Sequence, residues 1–90
     1  MMKNFDSPHK VVLHPFVTEK TMNLMENENK LEFIVNLKSN KQQVADAIEE
    51  LFDVKVEKVN TRIDKNGKRA TVKFTSDYSA EEIGMRIGVF

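Results

Sequence analysis

The chain has 90 residues, 40% of them hydrophobic and 31% charged, with fourteen Lys or Arg balanced by fourteen Asp or Glu and no cysteine. A chain of this length makes one small domain that buries roughly 60–65% of the surface its unfolded form exposes, which excludes a second core. No apolar run approaches the ~18 residues of a membrane span, and the lack of cysteine excludes disulfides, thiolate metal sites and thiol catalysis while suiting a reducing cytoplasm.

Residues 1–10 hold no stretch of signal-peptide character and read as a polar N-terminal extension, leaving 11–90 as a single domain. The β-branched run Lys10-Val11-Val12-Leu13-His14 predicts a brief edge strand, stopped by Pro15, which has no N–H for a sheet ladder. Thr18 caps a short helix through Met25, with Glu19 complementing the dipole and Met22 and Met25 turned inward. Leu31, Phe33, Val35 and Leu37 alternate with Glu32, Ile34 and Asn36, the period of a strand with one apolar face. Ser39 or Asn40 then caps the clearest helix, in which Val44, Ala47, Ile48, Leu51 and Phe52 follow i, i+3, i+4, i+7, i+8 spacing, with Asp46, Glu49 and Glu50 outward.

Val54 and Val56 begin the next strand in one register, whereas Val59, Thr61 and Ile63 continue in the other, so a bulge is expected near Glu57 and Lys58. Asn66-Gly67 is a strong signal for a two-residue hairpin turn, whose central positions need positive φ. Ala70, Val72 and Phe74 alternate with Thr71, Lys73 and Thr75 on the return strand. Ser79-Ala80-Glu81-Glu82 is a capping box for a last short helix in which Ile83 and Ile87 share a face and Gly88 is the stop. The order β-α-β-α-β-β-α specifies an α+β fold, helices on a four-stranded antiparallel sheet, of ferredoxin-like or plait-like architecture.

The charge is divided along this frame. Between Lys55 and Lys73 stand seven cations (Lys55, Lys58, Arg62, Lys65, Lys68, Arg69, Lys73) against Glu57 and Asp64, a local +5 in a neutral chain. A basic hairpin of this kind attracts a phosphate backbone. It equally serves as a charged edge that discourages strand pairing between molecules. His9 and His14 have no nucleophile beside them and no ligand pair at helical spacing, and no glycine-rich phosphate loop is present, so no catalytic constellation is assigned. The chain does not read as an enzyme and calls for no cofactor. A small ligand-binding or acyl-phosphate-hydrolase-like plait domain, not bound to RNA, is the alternative, because fold does not fix function.

Four stretches in fixed order carry a family resemblance: Pro15-Phe16-Val17-Thr18-Glu19-Lys20; the block from Asn40-Lys41 through Ala47-Ile48-Glu49-Glu50-Leu51-Phe52-Asp53-Val54-Lys55-Val56; Val59-Asn60-Thr61; and Arg86-Ile87-Gly88-Val89-Phe90. Together, from about Leu13 to Phe90, they resemble large-subunit ribosomal protein L twenty-three of archaeal type. The resemblance implies a cytoplasmic, non-catalytic protein of the large ribosomal subunit. It implies binding to 23S rRNA at the rim of the polypeptide exit tunnel beside ribosomal protein L twenty-nine, with a surface for the signal recognition particle and the protein-conducting channel. RNA contacts are then expected at Lys38, Asn40 and Lys41 near a helix N-terminus, at Asn60, Thr61 and Arg62, and at Lys55, Lys65, Lys68, Arg69 and Lys73. Docking of factors falls to Val17, Thr18 and Glu19. The short hairpin departs from the long basic loop of bacterial members, so a role inside the tunnel does not carry over. The ending Ile87, Val89 and Phe90 leaves an apolar tail expected to seal the open sheet face or to pack on a neighbouring protein.

Overall fold

The computed structural model describes residues 7–65 and 67–88. After a 3-10 turn at Pro8–Lys10 come β1 (Val12–Pro15), α1 (Glu19–Glu28), β2 (Lys30–Val35), α2 (Lys41–Phe52), β3 (Val56–Asp64), β4 (Gly67–Phe74) and α3 (Ala80–Arg86). This is the α+β order read from the sequence. The sheet runs β1-β2-β4-β3 with every neighbouring pair antiparallel, so β1 and β3 are the edges.

Register decides which side of the sheet is the core. Leu31 opposes Val72, Phe33 opposes Ala70 and Val59 opposes Val72, and directly opposed residues share a face. These side chains form one buried cluster with Val44, Ala47 and Ile48 of α2, Met25 of α1, and Ala80 and Ile83 of α3. The three helices therefore contribute to a single core on that face. Phe33, Phe74, Ile48 and Ile83 are its largest fully buried side chains, each worth roughly 1.5–3 kcal/mol in removal from water. Phe33 also stacks on Phe52 of α2, with ring centroids 6.0 Å apart.

The helix starts follow the expected chemistry. Thr18 and Thr21 form a reciprocal capping box for α1, and Asn40 with Gln43 does the same for α2. Ser39 is therefore not the cap; it is buried, and its hydroxyl donates to the Asn36 carbonyl. For α3 only the Ser79 half of the expected capping box forms, its side chain accepting from the Glu82 N–H, and Gly88 ends the helix region at φ +82°, a conformation glycine adopts without steric cost. The bulge is present, since the β3–β4 register shifts between Val56 and Lys58 and so lets both Val56 and Val59 reach the core side.

Four expectations are corrected. Met22 is not turned inward but 38% exposed, because α1 buries only Thr21 and Met25. That helix also runs on to Glu28 and closes on Asn29 in the left-handed conformation. Leu37 leaves the alternation: β2 ends at Val35, and the Asn36 side chain accepts from Lys38 N–H to turn the chain toward α2. At the hairpin, Asp64 pairs with Gly67, so Gly67 opens β4 at φ +113° instead of filling the turn's second central position. Asn66, Val89 and Phe90 lie outside the described residues, and with them the expectation for the apolar tail.

Candidate nucleic-acid interface

The face of the sheet opposite the core is where the charge collects. Alternation puts Lys30, Glu32 and Ile34 of β2 there, together with their partners on β4 and β3. The register writes three rows across the three strands: Lys30–Lys73–Lys58, Glu32–Thr71–Asn60 and Ile34–Arg69–Arg62. Three lysines thus stand in line, and two arginines stand opposite one another four residues along. Like charges directly opposed on a sheet destabilise it, so this arrangement has an electrostatic cost that an anion would remove.

Only part of that charge is met within the chain. Glu28 pairs with Lys30 at 2.9 Å, and Glu57 with Lys73 at 3.7 Å, through partly exposed side chains. Such surface pairs contribute little and compete poorly with a polyanion. Among the described residues Lys58 and Arg62 have no ion-pair partner. Leu24, Lys30, Asn60, Thr61, Arg62 and Thr71 line an open groove of about 260 Å3. It brings Asn60, Thr61 and Arg62, read from sequence as one cluster, together with Lys30 and Thr71, which local sequence did not single out. Only the β2–β4–β3 register joins them.

Arg69 is held differently from the other cations of the hairpin. Its guanidinium is bonded to Asp64, lies 3.5 Å from Glu32 and sits over the Phe16 ring at 4.6 Å. The hydrogen bond to Asp64 is the largest influence on it, and with the field of both carboxylates it holds the arginine's pKa above its ordinary value. Glu32 itself is only 5% exposed and accepts from the Thr71 hydroxyl at 2.9 Å. One oxygen of Glu32 and the Nε of Arg69 remain buried without a hydrogen bond, so the cluster is tightly enclosed but not fully satisfied.

The tip and the α2 start form a second basic region. Lys38, Lys41 and Lys65 are exposed. Lys68 is half-buried and its Nζ donates to the Ser39 carbonyl, which ties β4 to the turn before α2. Asn40 uses its side-chain oxygen on the Gln43 N–H. The N–H groups of Lys41 and Gln42 have no acceptor within the helix, as the start of an α-helix leaves them. Lys55 stands apart, at the other end of the sheet, where its carbonyl accepts from Thr75 N–H. Val17, Thr18 and Glu19 are exposed on the connection from β1 into α1, although the Thr18 hydroxyl is occupied by the capping box.

His14 lies on exposed β1, its Nδ1 3.0 Å from the Pro15 carbonyl oxygen. Among the described residues no group of three or more His, Cys, Asp or Glu is placed to hold a metal ion, and no helix is long and apolar enough to cross a membrane.

Known proteins with this sequence pattern agree on one class. The family model for ribosomal protein L23 matches residues 10–83. The large ribosomal subunit protein uL23 of Picrophilus torridus is 51% identical over 79 residues, covering 88% of this chain and 96% of the relative. Those of Methanothermobacter thermautotrophicus and Haloarcula marismortui are 48% and 51% identical, over 92% and 89% of this chain and 98% and 95% of their own lengths. With its fold, its order of motifs and these archaeal relatives, the chain belongs to the ribosomal protein L23 family, structural proteins of the large ribosomal subunit and not enzymes.

Proposed function

We propose that the protein binds 23S rRNA through the open face of its sheet and the adjoining basic tip, and that it does so at the rim of the polypeptide exit tunnel. The single observation that carries the RNA part is the Lys30–Lys73–Lys58 row with Arg62 beside it, a line of opposed cations whose mutual repulsion a phosphate backbone relieves. Asn60 and Thr71, neighbours in the next row, add short polar side chains suited to 2′-hydroxyl or backbone groups. Lys55 extends the positive field at one end, and Lys38, Lys41, Lys65 and Lys68 extend it at the other, where Asn40 caps the adjoining helix and Arg69 is held by its two carboxylates. Residues 11–90 act as one RNA-binding domain, with 1–10 as its extension.

The same proposal includes the exit-rim position, ribosomal protein L twenty-nine as neighbour and cytoplasmic location, with which membership of the family is consistent. It also includes docking of the signal recognition particle and the protein-conducting channel at Val17, Thr18 and Glu19. The exposure of that segment is compatible with such a role.

Equilibrium binding to large-subunit rRNA and to an unrelated RNA of equal length, across a salt series, tests the RNA reading. The wild-type protein prefers the cognate RNA. Replacing Lys58 and Arg62 together with Ala lowers the log–log salt slope by roughly 1.4–1.8 units, at about 0.7–0.9 per phosphate contact. Far-UV circular dichroism stays unchanged, since both side chains are exposed. An unaltered slope would assign these charges to solvent.

A further inference from the structure

We infer that a second, distinct feature, the groove at the end of the sheet between β1 and the turn before α2, receives one unpaired nucleotide of the RNA. The base lies against Leu13, Ile34 and Leu37, and the flanking phosphates lie at Lys38 and Lys68. This rests on the rRNA-binding reading above and names the chemistry that one part of the surface recognises.

The groove encloses about 400 Å3. Two of its leucines have no core role. Leu13 falls at the register shift between Val12 and His14, outside the alternation that buries Val12, and is 52% exposed. Leu37 follows the end of β2 and is 59% exposed. Single exposed leucines are ordinary, but these two border the same concavity, whose floor continues into Ile34 and Val35.

The rim is cationic. Lys38 and Lys68 line the groove and no carboxylate does, in a chain with as many acids as bases. The ammonium of Lys68 donates to the Ser39 carbonyl, which fixes its position and leaves two further N–H donors. A flat apolar body with an anionic tether matches an apolar floor with a cationic rim, and an unstacked nucleotide has that form. An acidic amphipathic helix fits less well. Its anchors spread over roughly 10 Å of axis, whereas the exposed apolar side chains here border a single concavity.

The test uses the full chain and full-length large-subunit rRNA, with Leu13→Ser/Leu37→Ser and, separately, Lys38→Ala. The double serine variant is expected to bind about fivefold or more weakly with an unchanged salt slope, the low end of what losing one base contact produces. Lys38→Ala is expected to lower the slope by about 0.7–0.9. Base-specific chemical probing should show one unpaired base protected by the wild-type protein and released by the serine variant. Wild-type affinity in the serine variant, or weakening that comes with a reduced slope, overturns the inference. In the first of these cases the groove is left to an acidic peptide. Absence of any cognate preference in the wild-type protein instead removes the rRNA reading itself, so the two failures are distinguishable.

Discussion

Asn29 is the residue on which the most separate parts of the chain converge. It closes α1 at φ 57° and ψ 41°, a left-handed conformation that costs most L-residues roughly 1–2 kcal/mol. Its Nδ2 donates to the carbonyls of Phe74, Thr75 and Tyr78, and its Oδ1 accepts from Ala80 N–H at 2.7 Å. One side chain thus holds the end of α1, the end of β4 and the start of α3. Asn29→Ala is expected to lose about 2–4 kcal/mol in urea unfolding, the sum of left-handed strain and partly buried groups left unpaired. Asn29→Gly should recover about 1 kcal/mol of that, because glycine tolerates the backbone angle but cannot supply the bonds. Equal losses in the two variants would show that the backbone conformation contributes nothing. The sequence offered only a weak signal here, an asparagine after a helical run, since its partners lie 45 to 51 residues away.

At the scale of the element, the β3–β4 hairpin combines structure and charge, and its cations divide into two kinds. Lys65 is exposed, whereas Lys68 is anchored on Ser39 and Arg69 on Asp64, Glu32 and Phe16. Charge counting treats the three alike and gives a loss of roughly 2–3 units of salt slope when all become Ala. With Arg69 neutralised by two carboxylates, the loss expected from Lys65→Ala/Lys68→Ala/Arg69→Ala is only about 1–2 units. Arg69→Ala alone should leave the slope nearly unchanged and lower the thermal midpoint, because it strands the nearly buried Glu32 without its counter-charge. A full unit of slope lost by that single variant would mean that Arg69 leaves its carboxylates to meet RNA. The bulge belongs to the same element. Without the extra residue at Glu57, β3 would turn either Val56 or Val59 away from the core.

For the whole molecule, a core drawn from one face of one sheet leaves a small margin. Domains of this size are stable by only about 5–15 kcal/mol. Phe33 is fully buried, central in β2 and stacked on Phe52, so Phe33→Ala is expected to cost about 3–5 kcal/mol. Chemical denaturation of the free protein should detect this directly, and a loss under 1 kcal/mol would mean that the helices collapse to fill the space. Acid and base are segregated at this scale too. Glu50, Glu81 and Glu82 are exposed on helices that pack on the core face, while the cation rows lie on the other face. Zero net charge is therefore compatible with a surface that attracts a polyanion.

What the sequence by itself determined follows from short-range physics. Period fixed the strands and helices, capping residues fixed the starts of α1 and α2, a change of alternation marked the bulge, and the ordered motifs indicated the family. Its errors arose where a neighbour far along the chain decided the outcome. Met22 has the right spacing but stays on the wall of an open cleft beside Met25 and Leu31 instead of entering the core, and Leu37 continues an alternation that the turn at Asn36 ends. The candidate interface divides in the same way. Asn60, Arg62 and the hairpin lysines were legible as local charge and polarity. Tertiary structure alone decided that Lys30, Lys73 and Lys58 share a row, that Arg69 is met by Glu32, and that Leu13 and Leu37 flank one groove. Each depends on the register between strands separated by tens of residues, which pairing sets and local sequence does not contain.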